Sequence, residues 1–505
     1  MGGRIKRSQI NLLLLAILVL GALVRSRGIL NPLLDNQAWR QADTASMAYH
    51  MLGRLMDIPQ VWFPTLSYDG TVPQKVELEF PFLPYILAWS WSLFGWSDFW
   101  GRLWGIVFSL LTIWGVFVLG QKCFSDRVGL WSAEIYALVP LTVYYGRVVM
   151  PEPVAQASTV WALNALISWR EKPGRLRFVG AGLMMALTIL AKLPQLMIFP
   201  VGILIGFWPL KGKKKQILKY SGLVLFPPLL YYGWVHGGAS HASQFVSGIL
   251  TGHVVEGTGP FWRELMISWR EEIGIPILLL AGAGIVNLFQ IGHFKLGTDR
   301  VERDKIEERL IVQTEWGTLS GIFLWCIISL GYVLIICSRI SLDYYLVPVI
   351  LPLALLAGIA LDQIEDIPGL VIGILLLSLL LVNGTLVNEK KFVWNEQYLT
   401  QALWLRDYTP QGSVLILSDP PPMTFYYARR VGYRLTSSKD QDAWQELAGT
   451  QGDYLVELPH TSHGPEFWNK VRATFPEVAP GVYQIKKTRL SLSISDKENL
   501  ASTKP

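Results

Sequence analysis

Long apolar runs alternate with short polar segments along residues 1–388 of the chain. A helix needs about 20 apolar residues to cross a bilayer, and eleven runs come close to that length. The pattern therefore predicts a mainly α, polytopic helical membrane protein. Its predicted spans are approximately 9–27, 101–120, 129–146, 152–169, 176–192, 194–210, 217–235, 273–293, 317–337, 344–361 and 368–387.

A twelfth apolar run, residues 80–96, is shorter and rich in Pro, Trp and Ser. If it lies along the membrane interface, most lysines and arginines of the short loops fall on one side, the pattern typical of cytoplasmic loops. If it crosses, every later loop changes sides and the pattern is lost. We therefore predict one long outer loop, 28–100, that contains interfacial helices, and a cytoplasmic N-terminus.

After about residue 388 the long apolar runs end. Strand-like segments at 413–417 and 453–458, a turn at 419–422 and helix-like segments at 396–407 and 440–448 predict a small α/β domain. The predicted organisation is a transmembrane domain (1–388), an outer α/β domain (389–485) and a polar tail (486–505) that is expected to be disordered.

Composition agrees with this class of protein. Of the 505 residues, 51% are hydrophobic and 16% are charged, and the mean hydropathy is +0.35. The net charge of +6 comes largely from loops that orient the chain in a lipid bilayer, so no nucleic-acid partner is predicted. The cysteines lie in or beside apolar segments, and no disulfide is expected: they are Cys123, Cys326 and Cys337.

Several charged residues stand at the predicted outer ends of spans. Asp43 could act as a general base, or it could cap a helix and pair with Arg40. Glu152, with Arg147 nearby, could be functional, or it could be an acid that stabilises a helix N-terminus. Lys192 could bind a lipid-borne phosphate, or it could anchor a span at the headgroups.

The same two interpretations, chemical and structural, apply to two further segments. Arg339 and Tyr345 open a late span, with Asp343 and Tyr344 between them. The stretch Glu79–Tyr85, which includes Pro81, enters the interfacial segment and could shape a donor pocket or anchor an amphipathic helix. A metal site is conceivable in the second outer loop, but the spacing of its residues matches no standard ligand pattern: they are His236, His241, His253, Glu256 and Glu264.

The order of these motifs resembles the C-type membrane glycosyltransferases, the broad family of protein O-mannosyltransferases and the bacterial aminoarabinose transferase of lipid A. The resemblance covers roughly residues 5–360. It rests on Asp43 in the first outer loop, the Pro-rich stretch Glu79–Tyr85, Arg102-Leu103, Arg147 with Pro151-Glu152, Lys192, and Arg339 with Tyr344, Tyr345 and Pro348.

The resemblance implies a C-type fold and an inverting transfer of sugar from a polyprenyl-phosphate donor to a protein, lipid or glycan. It implies no certain cofactor, since basic residues supply the charge that a metal would. The implied location is a bacterial inner membrane with a periplasmic α/β domain. The implied site has catalytic Asp43 and Glu152; phosphate-binding Arg40, Arg147, Lys192, Arg339 and Tyr345; and donor-pocket Glu79, Pro81, Tyr85 and Arg102.

Two other functions stay open. A transporter or flippase of lipid-linked sugars would also need many spans and charged residues on the outer face. Such proteins usually contain internal repeats and ionisable groups near the midplane. The chain shows no repeat, and its candidate charges lie at span ends. The third possibility is an inactive scaffold whose outer domain binds a partner.

Overall fold

The computed structural model describes residues 6–239, 269–296, 316–336, 342–363 and 389–485, with a few positions between 378 and 388. Contacts divide the chain into two compact units. We call Met1–Asn31 with Glu77–Phe392 the membrane unit, and Pro32–Val76 with Val393–Pro505 the α/β unit. The predicted boundary at 388/389 places residues 32–76 with the spans, whereas the contacts group them with the C-terminal residues.

The described part of the membrane unit is built from helices. Ten of the eleven predicted spans coincide with helical segments there, whereas the last, 368–387, lies largely outside the described residues. Four described stretches are long and apolar enough to cross a membrane alone: Arg7–Ser26, Asp98–Cys123, Trp316–Ile335 and Asp343–Asp362. The helices are α1 Arg7–Ser26, α3 Phe82–Phe94, α4 Asp98–Cys123, α5 Asp126–Leu138, α6 Pro140–Tyr145, α7 Glu152–Glu171, α8 Arg175–Ala191, α9 Ile198–Phe207, α10 Lys214–Gly238, α11 Ile275–Leu296, α12 Trp316–Ile336 and α13 Ile350–Asp362.

One predicted span, 129–146, is divided into α5 and α6. Pro140 lacks an N–H group and pushes the preceding residue out of the helical region, and Val139 has ψ 127°. The carbonyl groups released at the end of α5 are taken up by Arg25 from α1. Its guanidinium donates to Ala137 O at 2.8 Å and to Tyr136 O at 3.4 Å.

Helix α3 supports the interfacial interpretation of residues 80–96. It has 13 residues and is therefore about 20 Å long. The hydrocarbon core of a bilayer is about 30 Å thick, so α3 is too short to cross it. The next helix, α4, begins at Asp98, where the Ser97 hydroxyl accepts a hydrogen bond from Phe99 N.

The α/β unit contains a five-stranded sheet in the order β4 (Val431–Arg434), β3 (Val414–Leu417), β5 (Tyr454–Val456), β7 (Val482–Gln484) and β6 (Glu477–Ala479). The strands β3, β4 and β5 are parallel, and β7 runs antiparallel to β5 and β6. The sequence analysis predicted β3, β5, α14 and α16 close to their observed bounds but missed β4, β6 and β7. The elements are α14 Glu396–Tyr408, β3 Val414–Leu417, α15 Met423–Ala428, β4 Val431–Arg434, α16 Asp440–Gly449, β5 Tyr454–Val456, α17 Pro465–Thr474, β6 Glu477–Ala479 and β7 Val482–Gln484.

Residues 32–76 complete this unit. They form α2 Ala38–Met51 and the short antiparallel pair β1 Thr65–Leu66 and β2 Gln74–Lys75. Helix α2 packs against α15. The segment after β1 lies along β4, where Gly432 N donates to Ser67 O at 3.0 Å and Gly70 N donates to Gly432 O at 3.1 Å. Edge strands expose unpaired backbone groups, and this segment satisfies those of Gly432 in β4.

Candidate functional site

The membrane unit contains a buried ion pair between Glu152 and Lys192. Glu152 is the first residue of α7, directly after Pro151, and Lys192 directly follows α8. The Lys192 ammonium donates a hydrogen bond to Glu152 Oε1, and the two residues are 4% and 2% exposed. A buried charge is costly in free energy unless it is paired. Each of these two charges therefore offsets part of the cost of burying the other.

Aromatic rings surround the Lys192 ammonium. The nitrogen lies 4.7 Å from the centroid of Tyr344 and 5.2 Å from that of Tyr345, distances typical of cation–π contacts. These two tyrosines lie in the helical turn Asp343–Val349. The family resemblance implies that Lys192 and Tyr345 belong to one phosphate-binding group, and the structure brings them together.

Beside this pair lies a small cavity of about 10 Å³, enough for a single water molecule. Its lining includes Glu152, Gln156 and Tyr145. Glu152 Oε2 and Gln156 Oε1 are buried without hydrogen-bond partners among the residues that the structure describes. Two residues of the lining therefore carry polar atoms with unused hydrogen-bonding capacity.

Arg147 lies between α6 and α7 and is fully buried. Its guanidinium donates to Gly28 O at 3.1 Å and lies over two rings, 4.4 Å from the centroid of Phe392 and 5.1 Å from that of Tyr144. This planar cation is therefore held in a fixed orientation by a backbone carbonyl and two aromatic faces.

A second cluster, centred on Lys391, was missed by the sequence analysis. The ammonium contacts Asp343 Oδ2 at 2.6 Å and Glu272 Oε2 at 2.7 Å. The Tyr145 hydroxyl donates to the other oxygen of Asp343 at 2.5 Å. The only local signal is the pair Lys390-Lys391 after the last apolar run, and nothing in that pair identifies its partners.

Arg25 was also missed. It is fully buried in the last turn of α1, where its guanidinium donates to the Ser109 hydroxyl at 2.7 Å and to carbonyls of α1 and α5. A charged residue inside the first apolar run was the available signal. These hydrogen bonds end on neutral oxygens of α1, α4 and α5, which indicates a role in joining helices.

The predicted donor-pocket residues lie in or beside α3 and α4. Glu79 O accepts from the Tyr231 hydroxyl at 3.2 Å, Pro81 precedes α3, and Tyr85 lies within that helix. Arg102, on α4, is fully buried and donates to Asn31 O at 3.1 Å.

Arg339 lies outside the described residues, as do four members of the conceivable metal site: His241, His253, Glu256 and Glu264. The remaining member, His236, contacts Glu77 at 3.4 Å. Within the described ranges no group of three His, Cys, Asp or Glu side chains is arranged to hold a metal ion.

In the α/β unit, helix α2 places Asp43 and Arg40 among its buried residues, at 3% and 4% exposed. The Tyr68 hydroxyl donates to Asp43 Oδ2 at 3.2 Å. Burial, and then the charge of Asp43, raise the pKa of Tyr68 well above its ordinary value, so the phenol keeps its proton at neutral pH.

Arg434, at the end of β4, supports this contact from the side. Its Nε and Nη2 donate to the two oxygens of Asp69 at 3.1 Å and 2.7 Å, a bidentate arrangement. The guanidinium carbon lies 3.9 Å from the centroid of the Tyr68 ring. Neither Tyr68, Asp69 nor Arg434 was singled out from the sequence.

Comparison with known proteins gives one family match. Residues 78–232 match the family described as dolichyl-phosphate-mannose-protein mannosyltransferase. This stretch includes Arg102, Arg147, Glu152 and Lys192, and the match confirms the predicted resemblance. No curated protein sequence matches the chain.

Solved structures share the fold over most of the chain. The structure of ArnT from Cupriavidus metallidurans bound to undecaprenyl phosphate has 13% sequence identity and a TM-score of 0.61, covering 95% of this chain and 99% of that one. The Archaeoglobus fulgidus oligosaccharyltransferase with Zn and sulfate has 13% identity and a TM-score of 0.59, covering 87% and 67%. AglB from the same organism, with an inhibitory peptide and a dolichol-phosphate, has 13% identity and a TM-score of 0.55, covering 88% and 69%. The predicted fold of a multi-pass C-type membrane glycosyltransferase is confirmed.

Proposed function

We propose that this protein is a membrane glycosyltransferase that moves a sugar from a polyprenyl-phosphate donor to an acceptor. One observation carries the proposal: the mannosyltransferase match over 78–232 lies in a chain that covers 99% of an ArnT structure bound to undecaprenyl phosphate. The Glu152–Lys192 pair falls inside the matched segment. A lipid phosphate is therefore the donor group that we assign to this chain.

In the proposed reaction an acceptor hydroxyl or amine attacks the anomeric carbon of the sugar, on the face opposite the phosphate. The bond between that carbon and the phosphate oxygen breaks, and the oxygen leaves with the electron pair. The acceptor proton passes to the carboxylate of Asp43, which acts as general base. The products are the inverted glycoside and a polyprenyl phosphate.

The leaving phosphate gains negative charge, and fixed cations stabilise it best when they are oriented before the reaction. We assign this role to Lys192 and Arg147. The Tyr344 ring holds the Lys192 ammonium, and the Phe392 ring and Gly28 O hold the Arg147 guanidinium. Arg40, Arg339 and Tyr345 are proposed as further phosphate ligands. Glu152 is proposed to hold the Lys192 ammonium until the phosphate takes over as its partner.

The donor pocket is proposed to include Glu79, Pro81, Tyr85 and Arg102. The short helix α3, which follows Pro81, suits a site that a lipid enters sideways from the bilayer. We further propose a bacterial inner membrane location, with a cytoplasmic N-terminus and a periplasmic α/β unit. The distribution of basic residues among the loops supports this orientation.

The test uses the purified full chain in lipid nanodiscs with radiolabelled undecaprenyl-phosphate sugars and bacterial membrane extracts as acceptors. We expect wild-type protein to transfer label and Asp43→Asn to lose at least about 100-fold in rate, because a general base contributes 10²–10⁴-fold. Asp57→Asn is the matched control, since Asp57 is exposed in the same unit. Undiminished transfer by Asp43→Asn contradicts the base assignment, and movement of donor across vesicles without transfer favours a flippase.

A further inference from the structure

We infer that Arg434 and Asp69 are positioning residues that hold Tyr68 against Asp43, so that the C-terminal strand β4 takes part in the transfer reaction. The inference rests on the proposed role of Asp43 as general base. It assigns the C-terminal part of the α/β unit a role in orienting the proposed base.

Backbone contacts hold the residues around Tyr68. Residues 67–70 lie alongside β4 through two hydrogen bonds with Gly432, and Tyr68 forms a parallel bridge to that glycine. These contacts fix the position of the Tyr68 backbone along the edge strand β4. Its neighbour Asp69 has φ +64°, a left-handed conformation that Asp and Asn adopt more readily than most residues.

The side chains then fix the direction of the Tyr68 ring. Arg434 makes two parallel hydrogen bonds to Asp69, and a third from Nη1 to Pro420 O at 3.1 Å. The guanidinium is therefore held from both sides, with its carbon 3.9 Å from the Tyr68 centroid. A lysine could not reproduce both the bidentate contact and the stacking.

Tyr68 in turn contacts Asp43. The ring is packed near Phe425, with centroids 6.4 Å apart, and its hydroxyl donates to Asp43 Oδ2. A fixed donor on one carboxylate oxygen sets the rotation of the carboxylate. A general base must be oriented toward the proton that it accepts, and a displacement of about 1 Å can cost on the order of 100-fold in rate.

The experiment measures kcat and KM for radiolabelled undecaprenyl-phosphate sugar with full-length protein. We expect Arg434→Gln to lower kcat by about 10- to 100-fold, with KM for the donor within about twofold. Arg434→Lys should recover little of the lost rate. Asp69→Asn keeps a residue that tolerates the left-handed backbone and removes only the charge, and we expect a smaller loss. Arg472→Gln is the matched control, because Arg472 forms a half-exposed ion pair with Glu457 in the same unit.

A second measurement does not depend on activity. Hydrogen exchange followed by mass spectrometry should show lost protection in peptides covering 65–70 and 38–51 of Arg434→Gln, and none in Arg472→Gln. Tyr68→Phe guards against a folding defect, because it removes only the hydroxyl and leaves the ring and Arg434 in place. We expect this variant to lower kcat by about tenfold with unchanged exchange elsewhere in the α/β unit.

The outcomes separate this inference from the proposed function. If wild type transfers sugar and Asp43→Asn does not, while Arg434→Gln and Tyr68→Phe stay within twofold of wild type, the positioning role is overturned and the function stands. If wild type transfers no sugar, the proposed function fails. Exchange at 65–70 then decides whether Arg434 holds Tyr68: unchanged protection overturns that contact, and lost protection supports it.

Discussion

Around Glu152, Asp343 and Asp43, the two compact units hold acids by different means. In the membrane unit a lysine is the cation of each cluster: Lys192 pairs with Glu152, and Lys391 is shared by Glu272 and Asp343. In the α/β unit Asp43 accepts a hydrogen bond from a neutral phenol, and an arginine acts one residue further away, on Asp69.

The difference corresponds to the chemistry of the two cations. An ammonium is a compact charge that can exchange one oxygen partner for another, whereas a guanidinium fixes geometry through parallel bonds. Around Glu152 the membrane unit therefore balances charge, which suits the proposed role of Lys192 as a partner of the departing phosphate. The α/β unit sets orientation, which suits a base.

The strongest test of this contrast removes Lys192. Lys192→Met leaves the Glu152 carboxylate buried without its cation, and breaking a buried pair in this way costs about 3–5 kcal/mol. We expect a large fall in the thermal unfolding temperature together with loss of sugar transfer.

Two further variants interpret the result. Lys192→Met combined with Glu152→Gln should recover most of the stability and none of the activity, because removing both charges is much less costly than removing one. Lys215→Met, at an exposed lysine of the same unit, should behave as wild type. A stable Lys192→Met single variant would show that Glu152 does not need a cation, and the contrast between the units would break.

Lys391→Met should have a smaller effect. The side chains of Lys391 and its two acids are between 10% and 18% exposed, and Asp343 keeps its hydrogen bond from Tyr145. We expect a loss of about 2–3 kcal/mol in the free energy of unfolding, measured by thermal unfolding in nanodiscs. The adjacent exposed Lys390 gives the matched variant Lys390→Met. If Lys391→Met and Lys390→Met lost the same free energy of unfolding, the contacts of Lys391 with Glu272 and Asp343 would not stabilise the fold.

The smallest expected effect concerns pH and the α/β unit. Burial, and then the charge of Arg54, lower the pKa of His50 from 6.5 to about 4, and the ring is hydrogen-bonded to the Ser67 hydroxyl at 2.8 Å. The unfolded chain therefore binds a proton more readily than the folded one, and stability is lost as pH falls from about 6.5 toward 4.

We expect wild type to lose about 1–2 kcal/mol between pH 7 and pH 5 from this residue, and His50→Gln to lose correspondingly less. Thermal unfolding at both pH values measures the difference. His460→Gln, at an exposed histidine of the same unit, should keep the wild-type response. An identical pH response of all three proteins would mean that the pKa of His50 is not lowered in the folded protein.

Apolar runs and span ends were sufficient to predict most of the membrane unit. Helices α7 and α8 lie where the runs predicted them, and a short turn after α8 was enough to single out Lys192. The break at Pro140 was missed because the flanking sequence is apolar on both sides.

The support of Asp43 could not be read from the chain. Arg434 contacts Asp69 across 365 positions, and each belongs to a short segment with no periodic pattern. Lys391 likewise finds its acids 48 and 119 positions away. Local patterns predict elements, whereas contacts of this separation depend on the completed fold.

The discontinuous α/β unit has a consequence for how the protein is made. Residues 32–76 leave the ribosome long before β4, and at about 5–20 residues per second the interval is on the order of 15–70 s. During that time the segment carrying Asp43 has no strand to join. A nascent chain that stops before β4 thus lacks Arg434, which supports Tyr68 beside the proposed base Asp43. The proposed activity therefore requires translation to have passed β4.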